Sequence, residues 1–147
     1  MKTAIVYYSR HHGNTKKLLD AIAQENDVTL FDVTKNPPDD LSAYDRIGFA
    51  SGIYYSGFQK SLLEYAQAHM PQNKQTFFIY TCGSGSGSKR YTNAIAAAVG
   101  KHNAAVLGTF GCRGFDTFGP FRLVGGISKG HPDECELKSV CTFYEGL

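Results

Sequence analysis

The feature that most constrains this chain is the junction between its first apolar run and the polar turn that follows. Residues Ala4–Tyr8 form an unbroken run, which is typical of a strand buried on both faces inside a parallel sheet. The next residues, Ser9–Thr15, read SRHHGNT and lead into a helical pattern. Hydroxyl and backbone N–H groups therefore collect at the positive end of a helix. This combination predicts a binding site for a phosphate group.

Five apolar runs recur along the chain, with helical or irregular segments between them. The runs are Ala4–Tyr8, Val28–Val33, Ile47–Ala50, Phe77–Tyr80 and Ala104–Phe110. Apolar residues at helical spacing predict helices over about 14–24, between Gly57 and Pro71, over about 88–100, and from Pro132 to near Gly146. The alternation of strand and helix is the βαβ pattern, which predicts a parallel sheet covered by helices.

Length and charge narrow the class of protein. A chain of 147 residues has about the length of one domain, so we expect a single domain over residues 1–147. The 15 basic and 13 acidic residues are spread along the chain and form no stripe typical of nucleic-acid binding. No apolar stretch reaches the ~18 residues of a membrane span, and the start shows no signal segment. These features predict a cytoplasmic protein that binds neither nucleic acid nor a membrane.

The reactive side chains show no pattern of a metal site or a catalytic centre. The cysteines are Cys82, Cys112, Cys135 and Cys141, and none of them forms a C-x-x-C pair. Spacing of this kind predicts thiols without metal. Neither a Ser–His–Asp arrangement nor paired carboxylates can be assembled from the sequence. We therefore predict no catalytic side chain and no metal ligand.

A glycine- and serine-rich segment follows the fourth predicted strand. Residues 83–88 read GSGSGS, and Lys89 and Arg90 come next. Ser88 separates Gly87 from Lys89, so the P-loop motif is absent, and the glycine spacing also fails the dinucleotide-binding fingerprint. Composition alone is typical of a flexible linker. The position between a strand and a helix instead favours a binding loop at the carboxyl end of the sheet.

Three loops are predicted to meet at this edge of the sheet. They are residues 9–15, 51–57 and 81–88. The second reads SGIYYSG and places Tyr54 and Tyr55 between Gly52 and Gly57. Adjacent tyrosines either pack on the surface of the protein itself or stack on a planar ligand. The flanking glycines favour the ligand, because they let backbone N–H and C=O groups approach the edge of a ring closely.

The chain resembles short-chain flavodoxins and flavodoxin-like FMN proteins along nearly its whole length. The most specific match is Ser9 followed by Gly13-Asn14-Thr15 after the first predicted strand, which is similar to the phosphate loop of that family. The resemblance implies a flavodoxin-like, three-layer, doubly wound α/β fold. It also implies a five-stranded parallel sheet in the order 2-1-3-4-5, with FMN at the switch point between strands one and three.

The resemblance also implies which residues bind FMN. Phosphate contacts would come from the first loop, and contacts to the flavin ring from the second and third loops. The set is Ser9, Arg10, His11, Gly13, Asn14, Thr15, Gly52, Ile53, Tyr54, Tyr55, Ser56, Gly57, Thr81, Cys82, Gly83, Ser84 and Gly85. Gly57, with Gly52 as the alternative, is the candidate for the backbone carbonyl that turns toward N5 of the flavin on reduction.

The function implied by the resemblance is electron transfer. The chain would cycle the redox states of FMN and pass electrons to a redox partner protein or a small electron acceptor. An FMN-dependent NAD(P)H reductase acting on a quinone-like or other small acceptor is the alternative.

Three departures from the family pattern bear on the site. The phosphate loop is one residue longer, no Trp is present to stack on the flavin, and the third loop lacks acidic residues. Arg10, His11 and His12 are either solvated side chains or donors to phosphate.

The segment Gly111–His131 holds six glycines and is long for a loop. Two interpretations stay open for it. In the first, it is a closing flap that packs phenylalanines against the core: Phe115, Phe118 and Phe121. In the second, these rings and Arg113 or Arg122 form a surface for substrate or partner beside the flavin. Such an apolar, partly basic rim would suit a quinone-like or anionic acceptor better than a basic protein.

Overall fold

Strands and helices alternate through the part of the chain that the structure, a computed structural model, describes: residues 1–10, 12–83, 88–115, 126 and 128–147. The elements in chain order are β1 (Thr3–Tyr8), α1 (Asn14–Glu25), β2 (Val28–Asp32), β3 (Arg46–Gly52), α2 (Lys60–His69), β4 (Gln75–Cys82), a short 3₁₀ helix (Lys89–Thr92), α3 (Asn93–Gly100), β5 (Ala105–Arg113) and α4 (Glu134–Glu145). Within these ranges, each helix is too short or too polar to span a bilayer.

The strands form one parallel sheet in the order β2-β1-β3-β4-β5. This confirms the predicted α/β class and strand order. β1 lies inside the sheet between β2 and β3, and every residue from Thr3 to Tyr7 is buried, as its unbroken apolar run predicted. Because all strands are parallel, their carboxyl ends lie along one edge, and the loops after β1, β3 and β4 leave from that edge.

An apolar core lies on each face of the sheet. Phe77 and Phe78 are neighbours in β4 and are both fully buried, one in each core, because successive side chains of a strand point to opposite faces. Apolar residues of α2 and α3 pack in the core with Phe78. Those of α1 and α4 pack in the core with Phe77. The sheet and its two helical layers thus hold the carboxyl edge in place.

Several predicted boundaries differ from the observed ones, and the differences at β5 and at the helix predicted over 88–100 bear most on the site. β5 continues past Phe110 to Arg113, since its pairing with β4 extends to the contact between Arg113 and Cys82, so the long loop begins at Gly114. The helix predicted over 88–100 is a 3₁₀ turn followed by α3. Its apolar spacing predicted the helical region but not the change in hydrogen bonding at Asn93. The start of α4 is close to its prediction, with Asp133 as its cap.

The buried hydroxyl of Tyr65 predicts a loss of stability at high pH. It donates a hydrogen bond to the carbonyl oxygen of Pro38, and the residue is only 8% exposed. Burial, reinforced by the charge of Asp39, raises the pKa of Tyr65 from 10.0 to about 12. A raised pKa in the folded state means that the folded protein holds this proton longer than the unfolded chain does. The stabilising contribution is therefore complete below pH 10 and is lost as the pH rises toward 12.

Urea unfolding between these two pH values should show a smaller fall in the free energy of unfolding for Tyr65→Phe than for the wild-type chain. Comparison of the two chains well below pH 10 is the control, because the Tyr65 hydroxyl is then protonated in both the folded and the unfolded state. Equal pH dependence in wild type and Tyr65→Phe would show that burial of this hydroxyl does not have the expected effect.

Candidate functional site

A cleft opens at the carboxyl edge of the sheet among the loops that follow β1, β3, β4 and β5. It is lined by Arg10, Asn14, Thr15, Gly52, Ile53, Tyr54, Thr81, Cys82, Gly83, Gly114 and Phe115. The first nine belong to the three loops that the sequence predicted to meet. The last two come from the segment after β5, which was not included in the predicted cofactor site.

The start of α1 presents donors to this cleft. Gly13 is the cap residue and takes the left-handed conformation, with φ +64°, which favours glycine. The N–H of Lys16 donates to Oγ of Ser9 at 3.2 Å, so the Ser9 side chain lies over the end of the helix. The N–H groups of Asn14 and Thr15 are too early in the helix to find an acceptor within it. This is the usual geometry of an anion site at a helix N-terminus.

Asn14 carries a buried acceptor for which the described residues supply no donor. The residue is 7% exposed, and its Nδ2 donates to the carbonyl oxygen of Phe115 at 2.7 Å. Its Oδ1 is buried and has no hydrogen-bond partner among the described residues. Such an atom costs about 1–3 kcal/mol unless something else supplies a donor. Gly114 packs closely against this amide, because a Cβ added at Gly114 would lie only 2.7 Å from Nδ2 of Asn14. A ligand hydroxyl would satisfy this atom.

Two buried hydroxyl groups connect the start of α1 with the end of β4. Oγ1 of Thr15 and Oγ1 of Thr81 are 3.0 Å apart, and both residues are at most 4% exposed. One hydroxyl donates to the other, so the accepting hydroxyl keeps its own hydrogen for a further acceptor. The pair therefore adds a donor at the cleft.

The loop after β3 is a tight turn with unusual backbone angles. Tyr54 and Gly57 exchange two backbone hydrogen bonds, of 2.8 and 3.1 Å, around a turn in which Tyr55 has φ +50° and Ser56 has φ +66°. Two positive φ angles at the centre are characteristic of a type I′ turn, which normally uses Asn or Gly. Non-glycine residues cost about 1–3 kcal/mol each in such conformations, which concentrate at functional sites. The carbonyl oxygen of Gly57, the candidate to turn toward the flavin, here accepts from Tyr54.

The two tyrosines of this turn have different positions. Tyr54 lines the cleft, its ring lies 3.3 Å from where a Cβ of Gly52 would be, and it meets the ring of Tyr8 edge-on at 5.7 Å. Tyr55 is 90% exposed and is not among the residues that line the cleft. Tyr54 is therefore the tyrosine available inside the cleft, and Tyr55 is presented outward.

Basic side chains lie at the mouth of the cleft. The guanidinium of Arg10 is 5.7 Å from the centre of the Tyr8 ring, and its Nη2 is 3.4 Å from Oγ1 of Thr34. Nη2 of Arg90 lies 3.5 Å from Oγ of Ser56, which brings the loop after β4 to the turn after β3. Positive charge of this kind favours an anionic ligand or partner.

The remaining predicted residues fall into two groups. Ser9, Gly13, Tyr55, Ser56 and Gly57 belong to loops around the cleft without lining it. His11, Ser84 and Gly85 lie outside the described residues, as do the flap residues Phe118, Phe121 and Arg122.

Sequence reasoning missed Gly114 as a residue of the cleft, and it assigned Phe115 to the flap. The Phe115 ring lies 4.2 Å from that of His12 and so packs against the first loop. The available signal was the second glycine of the GCRG segment that follows the last predicted strand.

A second polar group, formed by His131, Asp133 and Glu136, has its ligand atoms within 4.8 Å of one another. Asp133 and Glu136 form the capping box of α4, and Glu136 also accepts from the backbone N–H of Arg113 at 3.0 Å. Nδ1 of His131 is hydrogen-bonded to Oε1 of Glu136. These hydrogen bonds hold the start of α4 in place, which accounts for the close approach of the three side chains. The four cysteines all lie in the described ranges and are not joined by disulfides.

Comparisons with known proteins agree with this architecture. The sequence matches the profile of a family described as "Flavodoxin domain" over residues 5–112. An uncharacterised protein of Methanocaldococcus jannaschii is 33% identical over 147 residues, which are 100% of this chain and 98% of the relative.

Two solved structures illustrate the likeness in fold. Oxidised flavodoxin 1 from Bacillus cereus superposes with a TM-score of 0.70 at 18% identity, over 97% of this chain and 94% of that one. A flavoprotein in complex with FMN from Lactobacillus acidophilus gives a TM-score of 0.53 at 18% identity, over 75% and 92% of the two chains.

Proposed function

We propose that this chain, which belongs to the flavodoxin domain family, binds FMN in the cleft at the carboxyl edge of its sheet and transfers electrons to a redox partner. The flavin, when bound, supplies the redox chemistry, and the protein binds and orients it. The observation that carries the proposal is the buried Oδ1 of Asn14, which finds no donor in the described part of the chain although the helix start beside it offers several.

The start of α1 suits the phosphate of FMN. The backbone N–H groups of Asn14 and Thr15 and the helix dipole favour a dianion there. Ser9 uses a lone pair to accept from a helix N–H and keeps its own O–H for a phosphate oxygen. Arg10, which lines the cleft, adds a guanidinium whose planar fork matches phosphate oxygens.

The ribityl chain of FMN suits Asn14. A phosphate dianion only accepts hydrogen bonds, so it cannot satisfy Oδ1 of Asn14, which needs a donor. The hydroxyl groups of the sugar alcohol next to the phosphate are such donors. The same residue would therefore contribute its backbone N–H to the phosphate and its side-chain oxygen to the ribityl chain.

The loops after β3 and β4 suit the flavin ring. Tyr54 supplies an aromatic side chain within the cleft, and Gly52 and Gly83 line it beside this ring. Phe115 adds a second aromatic residue from the loop after β5. His11, Ser84 and Gly85 stay predicted members of the same site.

Titration of the flavin-free protein with FMN tests the proposal, with riboflavin as the matched control because it has the same ring and no phosphate. Calorimetry and flavin fluorescence should both detect FMN binding. We expect FMN to bind at least about tenfold more tightly than riboflavin, because charge-assisted hydrogen bonds contribute about 1.5–3 kcal/mol each. Unchanged heat and fluorescence on addition of FMN would refute a flavin site.

Mixing the FMN-loaded protein with NADPH under anaerobic conditions separates an electron carrier from a reductase. A carrier keeps its flavin absorbance until a partner reductase is added. Rapid bleaching by NADPH alone would instead identify the chain as an FMN-dependent reductase.

A further inference from the structure

The three loops after β1, β3 and β4 carry positive charge without negative charge. Residues 9–13, 53–59 and 83–92 contain Arg10, Lys89 and Arg90 and have no Asp or Glu. The whole chain is nearly balanced, with 15 basic and 13 acidic residues, so these three loops differ from the chain as a whole. Arg10, Lys89 and Arg90 are called the basic rim below.

The charges of the basic rim are presented to solvent. All three residues are exposed. Among the ion pairs between described residues, none includes a member of the rim. Asp32, at the end of β2, accepts from the backbone N–H and the hydroxyl of Thr34, and that hydroxyl lies 3.4 Å from Nη2 of Arg10, so the negative charge of Asp32 offsets part of the charge of Arg10. With Arg10 assigned to the FMN phosphate, Lys89 and Arg90 supply the positive potential that remains over the mouth of the cleft when FMN is bound.

An outward-facing aromatic residue lies next to this charge. Tyr55 is the only largely exposed aromatic residue among those that the structure describes. The type I′ turn closed by Tyr54 and Gly57 holds it, although Tyr55 and Ser56 both take positive φ. Arg90 contacts Ser56 of the same turn. A tyrosine held on a tight turn beside arginine has the composition of a binding hot spot between proteins.

We infer that the basic rim and Tyr55 form the docking surface for an acidic redox protein. This inference rests on the proposed function, because docking here brings the partner to the cleft that would hold the flavin. Charge complementarity across such a surface steers association and selects the orientation of the partner. Lys89, Arg90 and Tyr55 all lie outside the lining of the cleft, which favours a protein over a small anion that would need only the cleft.

Binding of defined probe proteins to the flavin-free chain tests the inference. The acidic probe is a plant-type [2Fe–2S] ferredoxin, and the basic probe is a c-type cytochrome. At low salt, calorimetry should detect binding of the acidic probe, weakening as salt is added, and much weaker binding of the basic probe. Stronger binding of the basic probe, or no binding of the acidic probe, would overturn the inference.

Reversing the charge of rim residues tests whether the acidic probe binds at the basic rim. The double variant Lys89→Glu/Arg90→Glu should weaken binding of the acidic probe at least about tenfold and flatten its salt dependence. The matched control, Lys2→Glu/Lys101→Glu, makes the same change in net charge with exposed residues next to the amino ends of strands, and it should change the affinity less than about twofold. Equal effects of the two double variants would show that net charge, and not the rim, governs binding.

Two further measurements separate this inference from its alternatives. Titration of both double variants with FMN reports on the flavin site independently of the probe proteins, so failure of the proposed function is recognised separately. If reversal of the rim weakens binding of NADPH and leaves ferredoxin binding unchanged, the rim serves a small anion and the inference is wrong.

Discussion

Ser9→Glu should eliminate the contribution of the phosphate to FMN binding while leaving the fold intact. Oγ of Ser9 already accepts from the N–H of Lys16 at 3.2 Å, so a carboxylate introduced here lies at the positive end of α1. The helix start stabilises that negative charge as it would a phosphate. With an effective dielectric constant of ~20, two unit charges of the same sign ~5 Å apart repel by about 3 kcal/mol. Allowing for screening, we expect FMN affinity to fall at least about hundredfold, or about 2.7 kcal/mol.

Ser9→Gln is the control, because glutamine has nearly the shape of glutamate and no charge. Its FMN affinity should fall by less than about tenfold, since one neutral hydrogen bond contributes about 1 kcal/mol. Calorimetric titration with FMN and riboflavin should find riboflavin binding alike in the two variants, and thermal unfolding should find both folded. If Ser9→Glu and Ser9→Gln bind FMN equally well, the phosphate does not lie at the start of α1.

Gly48→Ala should destabilise the chain by about 3 kcal/mol, a large effect for one methyl group. Gly48 lies in β3 opposite Phe77 of β4, and a Cβ at this position would be 2.4 Å from Cζ of that ring. The ring is fully buried and meets Phe143 and Tyr144 at centroid distances of 6.4 and 5.9 Å, which restricts its movement. The added methyl group must therefore displace a packed core.

Gly100→Ala is the matched control, because nothing lies within 4 Å of a Cβ at this position. It should be neutral or stabilise the protein by about 0.5 kcal/mol. Phe77→Leu shortens the opposing side chain, so the double variant with Gly48→Ala should show a favourable coupling of at least about 1 kcal/mol. Urea unfolding measures the four variants and the wild-type chain. A cost below about 1 kcal/mol for Gly48→Ala would show that the two strands separate easily.

Much of the sheet was predictable because its signals are local. The unbroken apolar run of β1 indicated an interior strand, and it lies between β2 and β3. The Gly13-Asn14 step marked the start of α1, which begins at Asn14. Strand ends were less predictable, as with β5, because a strand continues for as long as its neighbour offers partners. The end at Arg113 reflects pairing with Cys82.

The conformation of the turn after β3 was also only partly predictable from the sequence. Two glycines around Tyr54 and Tyr55 predicted a loop that could approach a flat ligand. They did not predict that Tyr55 and Ser56 would occupy the left-handed positions of a type I′ turn, which neither residue prefers. Hydrogen bonds between Tyr54 and Gly57 and the contact of Ser56 with Arg90 hold that conformation. The division of roles between the two tyrosines follows from it.

The amino-acid sequence alone determined the order of strands and helices, the buried character of β1 and the turn of hydroxyl and N–H groups at the start of α1. These properties follow from apolar spacing and capping within a few residues. Tertiary structure decided which side chains share the cleft: Asn14 bonds to Phe115 across 101 residues, and Thr15 meets Thr81 across 66. Contacts at such separations depend on how the helices pack on the sheet. Patterns among residues that are adjacent in the sequence do not predict that packing.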